Sequence, residues 1–407
     1  MSDRPYYQQK ASTCFNKLAD ILKDPTELPF WHVGRTLNTC QDYITRNGAN
    51  VPADVARFIN QVLPGCTTFY LDKAGPSNSQ TWWWDDYGWW GLAHLATGNL
   101  PNAKDCWLRM RTYGVDATGP SLDYLGGCWN HQTNQDPPGC ENCVTNSTFF
   151  LLSLRLLNHA SFAKDPLRKM VLAAAHDWIR WFVRWQGRPG AIRNPLELVR
   201  ERPVGDKDNL FPSGAPTYET GWIWTGDQGL VLAWAAEAFE LAPTDWEVIF
   251  PGVPGRANMF QLADQIRQGM APLFDADGVL HEAPYFANSL GNYNIDYSSG
   301  RGVFMRYIAR ADAVFRHEPS WLPSDAHVLH TADAVIARLG EQSPTMYSWN
   351  YPKEQSVLDT WKAKVTGLSE GNPCLCNDAP LWSGATPELV FHGIALDALT
   401  AATAVAQ

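Results

Sequence analysis

Apolar residues recur at intervals of three and four along most of the chain, which is the spacing of one face of an α-helix. Residues 51–63 show this spacing with a proline, Pro52, near the start, and so predict a helix. The same pattern predicts further helices over residues 89–97, 101–111, 149–159, 167–186, 229–241, 259–273, 302–316, 326–340 and 387–404. The strict alternation typical of strands is scarce. The pattern therefore predicts an all-α protein.

The predicted helices follow one another in pairs, with a short turn inside a pair and a longer polar or glycine-rich loop between pairs. The long loops cover residues 119–146, 209–221, 287–300 and 344–359. Repeated antiparallel helix hairpins predict a closed ring or a solenoid of about twelve helices, with the functional loops gathered at one end. No proline-, glycine- or serine-rich linker and no charge run divides the chain, so we expect one domain over residues 1–407.

The stretch from Trp82 to Trp90 stands out by its composition. It contains five tryptophans, one tyrosine and the adjacent pair Asp85 and Asp86. Unpaired carboxylates are costly in a core, and an ordinary solvated surface has no need of five indoles. Aromatic faces beside carboxylates suit a carbohydrate, because the rings stack on the sugar while the carboxyl groups act on the glycosidic bond. The alternative interpretation is an aromatic core segment with an aspartate helix cap.

Composition and charge narrow the classes of partner. Of the 407 residues, 45% are hydrophobic and 18% are charged, which is enough for a large core, and 19 are tryptophan. The formal net charge of −10 argues against nucleic-acid binding, which needs a basic surface, and is compatible with a neutral glycan. We therefore expect an oligosaccharide or polysaccharide substrate, no cofactor and a monomeric protein.

No apolar run approaches the roughly 20 residues of a membrane span, so we expect none. The first ten residues, MSDRPYYQQK, lack the apolar core of a signal peptide. A native start at this methionine predicts a cytoplasmic protein, whereas a start left after removal of a signal predicts a secreted or cell-surface one.

Nine cysteines raise the question of metal or disulfides. Two residues lie between Cys140 and Cys143, and one residue lies between Cys374 and Cys376. Such close cysteine pairs are found in zinc sites. Over 200 residues separate these pairs, and the spacing is not that of a zinc module, so we predict no metal site. Local disulfides or buried thiols are the alternatives that we retain.

The segment Trp84-Asp85-Asp86-Tyr87-Gly88-Trp89-Trp90 opens a predicted helix that ends in Ala96-Thr97-Gly98-Asn99. Both features resemble the main motif of glycoside hydrolase family 76, the endo-α-1,6-mannanases. Weaker motifs that resemble the family's follow in the same order at Gly126–Trp129, Asn146–Phe149, Thr217–Gly221, Asp296 and Arg301–Tyr307. The chain departs from the family where Gly300-Arg301-Gly302 replaces Phe-Lys-Gly and where Glu219-Thr220 replaces Asn-Gln.

The resemblance implies an (α/α)6 barrel and a retaining mechanism, with Asp85 as nucleophile and Asp86 as general acid/base. Eight further residues lie in or next to these motifs. Each of them could either bind the sugar or have a structural role in packing or loop ordering: Trp84, Trp89, Trp90, Trp129, Asn130, Asn146, Tyr218 and Asp296. We expect structural roles for Arg301, His131 and His281.

Three classes of function remain open at this point. The leading hypothesis is a retaining endo-α-1,6-mannanase-like glycoside hydrolase, with a transglycosylase as its nearest variant. A sugar isomerase or epimerase on a similar barrel would rely on histidine bases, whereas the densest polar group here is a carboxylate pair. A non-catalytic glycan-binding protein would need the tryptophans but not the adjacent aspartates.

Overall fold

The computed structural model describes residues 3–76, 81–115, 126–131, 141–186, 197–201, 223–253, 255–283, 285–286, 296, 298–340, 357, 360, 373–374 and 385–406. Fourteen α-helices lie in these ranges: α1 Arg4–Ile21, α2 Phe30–Asn47, α3 Pro52–Arg57, α4 Leu63–Ala74, α5 Trp84–Ala96, α6 Leu100–Arg109, α7 Cys143–Asn158, α8 Arg168–Gln186, α9 Thr225–Phe239, α10 Pro243–Ile249, α11 Ala257–Gly269, α12 Gly300–Phe315, α13 Asp325–Gly340 and α14 Ala385–Val405.

Short 3₁₀ and π segments extend some of these helices. The 3₁₀ turns are Gly48–Asn50, Ala160–Phe162 and Ala271–Leu273, and the π segments are Phe58–Val62 and Met110–Gly114. Strand structure in the described ranges amounts to β1 Tyr285–Phe286 and β2 Pro373–Cys374, which pair antiparallel, and two isolated bridges. The all-α prediction is confirmed.

Six helices form a closed inner ring. In ring order, α2, α5, α7, α9, α12 and α14 each contact the next, and α14 returns to α2. Helices α9 and α14 are buried along nearly their whole length, which is why their sequences are apolar on every side. The outer layer consists of α1, α4, α6, α8, α11 and α13, each packed on one or two inner helices. This arrangement is the (α/α)6 barrel.

The N-terminal ends of the inner helices meet at one end of the ring. Thr145, at the start of α7, donates a hydrogen bond of 3.4 Å to Asp85, at the start of α5. Arg35, in the first turns of α2, donates to the carbonyl of Ser299, just before α12. A Cβ on Gly300 would lie 2.6 Å from Oγ1 of Thr225, so α12 and α9 also approach closely at their starts. This end of the barrel therefore collects side chains from five inner helices.

A buried ion-pair network fastens the ring where it closes. Asp397 of α14 accepts hydrogen bonds from Arg35 of α2 at 2.9 Å and from Arg306 of α12 at 2.8 Å. Burial lowers the pKa of Arg35 to about 10, even though Asp397 opposes the shift. All three side chains are at most 3% exposed. The network thus holds three inner helices together through charges that cannot reach water.

The starts of α5 and α7 differ most from the sequence expectation, and both differences come from caps. Helix α5 begins at Trp84 rather than Trp89, because the Asp86 carboxyl accepts the N–H of Trp83 before the helix. Helix α7 begins at Cys143 rather than Phe149, because Asn142 caps it by accepting the N–H of Thr145. The sequence analysis did not predict α1, α2, α4 or α10, and α2 is an inner helix.

Helix α14 is long and apolar enough to cross a bilayer by length and composition alone. Its window of highest hydropathy averages 1.3, and 83% of that window is buried inside the protein. As an inner helix of the barrel, α14 owes its apolar surface to the neighbouring helices that cover it.

Candidate active site

Asp85 and Asp86 lie in the first turn of α5, at the end of the ring where the inner-helix starts meet. Trp83 precedes the helix in an extended conformation, and its N–H is bound by the Asp86 carboxyl at 3.2 Å. The N–H of Trp84 donates to the carbonyl of Asn130 at 2.7 Å, which ties the helix start to a neighbouring loop. A helix N-terminus carries partial positive charge and so favours negative charge at this position.

The two carboxyl groups have different surroundings. Asp86 is 7% exposed, whereas Asp85 is partly exposed and accepts a hydrogen bond from Thr145. Burial raises the pKa of Asp86 well above its usual range, and the nearby charges of Asp85 and Asp296 raise it further. Because neighbouring carboxyl groups disfavour a second negative charge, the raised pKa favours the protonated form of the buried Asp86.

A third carboxylate, Asp296, completes the acidic group. Its Oδ1 atom lies 2.9 Å from Nε2 of His32, a fully buried side chain in the first turn of α2. Burial lowers the pKa of His32, so the neutral imidazole can donate Nε2–H to the carboxylate. The sequence analysis named Asp296 but missed His32, because it did not predict the helix that carries this histidine.

The tryptophans expected to stack on a sugar are buried. Trp84 and Trp90 are 0% exposed, Trp89 is 1% and Trp129 is 7%. The indole of Trp90 donates to the carbonyl of Phe30, and Trp84 stacks on Tyr113 with ring centroids 6.1 Å apart. Because stacking requires an accessible ring face, this burial favours packing, the other role considered for these residues, over sugar stacking. The indoles of Trp84, Trp89 and Trp90 are part of the hydrophobic core.

The polar candidates for sugar binding include Asn146, Asn130 and Tyr218. Asn146 donates to the carbonyls of Cys128 and Asn142, and its oxygen accepts from the N–H of Cys128 and the Trp178 indole. Because these bonds use both donors and both acceptor positions of the amide, they favour the ordering of the loop, the second of the two roles considered for Asn146. Asn130 is also buried, and Tyr218 lies outside the described residues.

The three side chains expected to be structural are buried. His131 packs on Trp83 with ring centroids 4.7 Å apart. His281 lies 3.1 Å from a carboxylate oxygen of Asp275. Arg301, in the first turn of α12, is close enough to Glu282 to favour its charged form.

A pocket of about 140 Å³ opens beside Asp86. Its wall includes Phe30, Trp31, Phe69 and Trp82, together with Lys73 from the end of α4. Trp31 and Trp82 are partly exposed, unlike the tryptophans on the inner face of α5. Sequence reasoning did not single out Trp31, although Pro29 followed by an apolar run is a helix-start signal that places this residue in the first turn of α2.

A second set of buried acids, also missed from the sequence, lies at the start of α9. Glu282 accepts the N–H of Thr225 at 2.8 Å, and burial raises its pKa to about 7. Burial and the neighbouring Glu201 raise the pKa of Asp227 well above its usual range. The available signal was the acidic residue in the apolar helix sequence TGDQGLVLAWAA.

The described cysteines are free thiols in the interior: Cys14, Cys40, Cys66, Cys106, Cys128 and Cys143. Cys140 and Cys376 lie outside the described residues, as does the side chain of Cys374. Within the part of the chain that the structure describes, no group of three or more His, Cys, Asp or Glu side chains is arranged to hold a metal ion.

Comparisons with known proteins agree on the architecture. A scan against protein-family models and a search of the curated proteins found no match. Among solved structures, a family 76 α-mannanase from Bacteroides thetaiotaomicron superposes with a TM-score of 0.58 at 12% identity, over 99% of this chain and 96% of its own.

Two further solved structures show the same likeness. A family 76 glycoside hydrolase from a bovine Bacteroides thetaiotaomicron strain has a TM-score of 0.58 at 12% identity, over 97% of this chain and 78% of its own. A family 76 mannosidase from Bacteroides thetaiotaomicron has a TM-score of 0.56 at 11% identity, over 98% of each chain. The resemblance stated from the motifs is confirmed at the level of structure: this chain has the all-α barrel fold of glycoside hydrolase family 76 structures.

Proposed function

We propose that this protein is a retaining glycoside hydrolase that cleaves α-linked, mannan-type glycans. The observation that carries the proposal is the pair of adjacent carboxyl groups in the first turn of α5, one buried and one partly exposed. Retaining glycosidases need one carboxylate as nucleophile and one protonated carboxyl group as acid. The fold shared with structures described as an α-mannanase and a mannosidase supports the choice of mannan.

Asp85 is the nucleophile in this proposal. Its carboxylate lies at the positive end of the helix and is held by the Thr145 hydroxyl, so it is oriented while remaining partly accessible. The carboxylate attacks the anomeric carbon, and the bond from that carbon to the leaving oxygen breaks. The product of this step is a glycosyl ester on Asp85.

Asp86 is the general acid and then the general base. Its burial and its two acidic neighbours raise the pKa of the Asp86 carboxyl group, which favours the protonated form that a general acid needs. That proton passes to the leaving oxygen as the glycosidic bond breaks. In the second step Asp86 takes a proton from water as this water attacks the anomeric carbon. The bond between that carbon and Asp85 breaks, and the sugar is released with its original anomeric configuration.

The proposal places this chemistry in a single catalytic domain over residues 1–407. Its support is the closed ring in which α14 contacts α2, together with the packing of the first helix, α1, on the last, α14. The monomeric state stays a prediction, which size-exclusion chromatography with light scattering tests.

The test is digestion of a panel of α-linked manno-oligosaccharides and other glycans, with products resolved by length and by anomer. Cleavage with retention, together with trapping of a 2-deoxy-2-fluoro glycosyl group on the peptide that contains Asp85, supports the proposal. Inverted product or a label on Asp86 contradicts the role assignment. Interconverted monosaccharides would favour an isomerase, and binding without turnover would favour a glycan-binding protein.

A further inference from the structure

We propose that the pocket between α2, α4 and the start of α5 binds the sugar residue on the leaving-group side of the scissile bond. This assignment rests on the proposed function. We call it the Trp31–Trp82 pocket, and its lining residues are Leu28, Pro29, Phe30, Trp31, Phe69, Lys73, Trp82 and Asp86. Trp31 and Trp82 replace the buried tryptophans that the sequence offered as sugar platforms.

The position of Asp86 selects the leaving side. Asp86 lines the pocket, whereas Asp85 does not. A general acid must reach the oxygen of the departing sugar, while the nucleophile reaches the anomeric carbon of the retained one. A sugar in contact with the Asp86 side of the pair is therefore the one that leaves. By the same geometry, an acceptor sugar that intercepts the glycosyl ester would enter from this pocket.

The walls suit a sugar ring. Trp82 is fixed, because its indole donates to the carbonyl of Lys73 at 2.7 Å and its ring stacks on Phe30 at 4.8 Å. Trp31 is held by stacking on His32 with ring centroids 3.8 Å apart. Both rings remain partly exposed, so each keeps accessible aromatic surface. Rigid aromatic walls with a few charged groups at the edge are typical of small-ligand sites.

The size and charge of the pocket limit what it holds. About 140 Å³ is smaller than the roughly 300–1,000 Å³ of sites for drug-sized ligands, which fits one ring rather than a chain of rings. The lining residues are apolar or aromatic apart from Lys73 and Asp86. An ammonium group can donate to hydroxyl oxygens, so Lys73 is a partner for the hydroxyl groups of a neutral hexose.

The experiment compares two substrates in Trp31→Ala and Trp82→Ala variants. One substrate is α-1,6-mannotetraose, whose leaving group is a sugar, and the other is an α-mannotriosyl fluoride, whose leaving group is a single ion that cannot fill the pocket. We expect each variant to lose about three- to tenfold in kcat/KM on the tetraose, from the typical energy of an aromatic stacking contact. We expect a smaller loss on the fluoride than on the tetraose, because the fluoride leaves the pocket empty.

Transfer to an added acceptor gives an independent measurement. With the fluoride as donor and methyl α-mannoside as acceptor, the ratio of transfer product to hydrolysis product reports occupancy of the pocket. Trp31→Ala and Trp82→Ala should lower this ratio by the same three- to tenfold. Trp31→Phe and Trp82→Phe should restore most of it, because they keep an aromatic face. Leu71→Ala is the control, since Leu71 lies on α4 beside the pocket residues but is 59% exposed.

The outcomes separate the two proposals. Wild-type protein that turns over neither substrate contradicts the proposed function, and the pocket assignment falls with it. Active wild type with equal losses on both substrates contradicts the pocket alone, since the substitutions then damage the whole site. Unchanged tetraose cleavage and an unchanged transfer ratio contradict it as well.

Discussion

The Nε2 atom of buried His32 lies 2.9 Å from Oδ1 of Asp296. These residues are 264 positions apart in sequence, and their contact joins the start of α2 to the segment that leads into α12. Asp296 in turn is close enough to Asp86 to disfavour its charged form. His32 is thus linked, through Asp296, to the carboxyl group that we propose as general acid.

Asparagine at each member of the pair should abolish polysaccharide cleavage but with different residual activity. Asp85→Asn lacks the nucleophile, so we expect no glycosyl ester with any substrate. Asp86→Asn keeps the nucleophile, so a glycosyl fluoride, which needs no acid, should still form the ester, which then accumulates because the base is missing. Intact-protein mass spectrometry measures the added glycosyl mass. Full activity in both variants would remove the catalytic pair from consideration.

Asp296→Asn should move the alkaline limb of the activity profile to lower pH. The general acid must be protonated, so activity falls as pH rises through the pKa of Asp86. Removing the charge of Asp296, which is 33% exposed, removes one cause of the raised pKa of Asp86, and this pKa should therefore fall. The measurement is kcat/KM against pH.

The controls for this pH shift separate charge from folding. Glu247→Gln removes one exposed carboxylate on α10 and should leave the profile unchanged. His32→Gln keeps a hydrogen-bond donor toward Asp296, and we expect a smaller shift than with Asp296→Asn. An alkaline limb that stays in place in Asp296→Asn would separate Asp296 from the titration of Asp86.

Asp397→Ala should destabilise the fold strongly. The substitution leaves Arg35 and Arg306 buried without their shared carboxylate, and breaking a buried pair in this way typically costs about 3–5 kcal/mol. Asp20→Ala is the matched control, because Asp20 also has two basic partners, Lys23 and Arg57, but is 55% exposed. Its expected cost is at most about 1 kcal/mol. Urea unfolding followed by circular dichroism measures both, and equal losses would contradict the role of the network.

Glu282→Gln should make stability less dependent on pH. In the unfolded chain a glutamate ionises near 4.5, whereas Glu282 in the fold keeps its proton up to about 7. Between these values the folded state binds more protons, so the free energy of unfolding falls as pH rises. The two pKa values differ by about 2.5 units and one unit is equivalent to about 1.4 kcal/mol, so this residue accounts for about 3 kcal/mol of that fall.

Urea unfolding at about pH 5 and about pH 8 tests the role of Glu282. The glutamine variant should lose less stability between the two conditions than wild type, and Glu247→Gln should lose as much as wild type. The neighbours of residue 282, Thr225, Asp227 and Arg301, are the same in wild type and in the Glu282→Gln variant, so the comparison isolates the carboxyl group of Glu282. An unchanged difference between the two pH values would mean that Glu282 does not hold its proton in the fold.

The helical architecture followed from the sequence because its cause is local. Apolar residues at helical spacing identified most of the helices, and the pairing of helices by short turns indicated a closed ring or a solenoid of hairpins. The aspartate pair was also found locally, since two adjacent carboxylates among tryptophans need a reason that core packing does not supply. Both features depend on residues close together in the chain.

Tertiary structure decided which aromatic side chains are accessible. Trp84 and Trp90 are on the same motif as Asp85, yet both are buried, because the Met110–Gly114 segment packs on Trp84 and α2 packs on Trp90. Trp31 belongs to a distant segment and reaches Asp86 only because α2 lies next to α5 in the ring. Exposure depends on what packs against a residue, and the local sequence does not contain that information.

Protonation was likewise decided by the fold. Asp85 and Asp86 are identical side chains in neighbouring positions, so the sequence alone could not say which keeps its proton. The fold buries Asp86 and brings Asp296 close to it from a segment about 210 residues away. Both effects raise the pKa of Asp86. Desolvation and long-range charge are properties of the assembled barrel, whereas helix periodicity and the chemistry of the aspartate pair are properties of the chain.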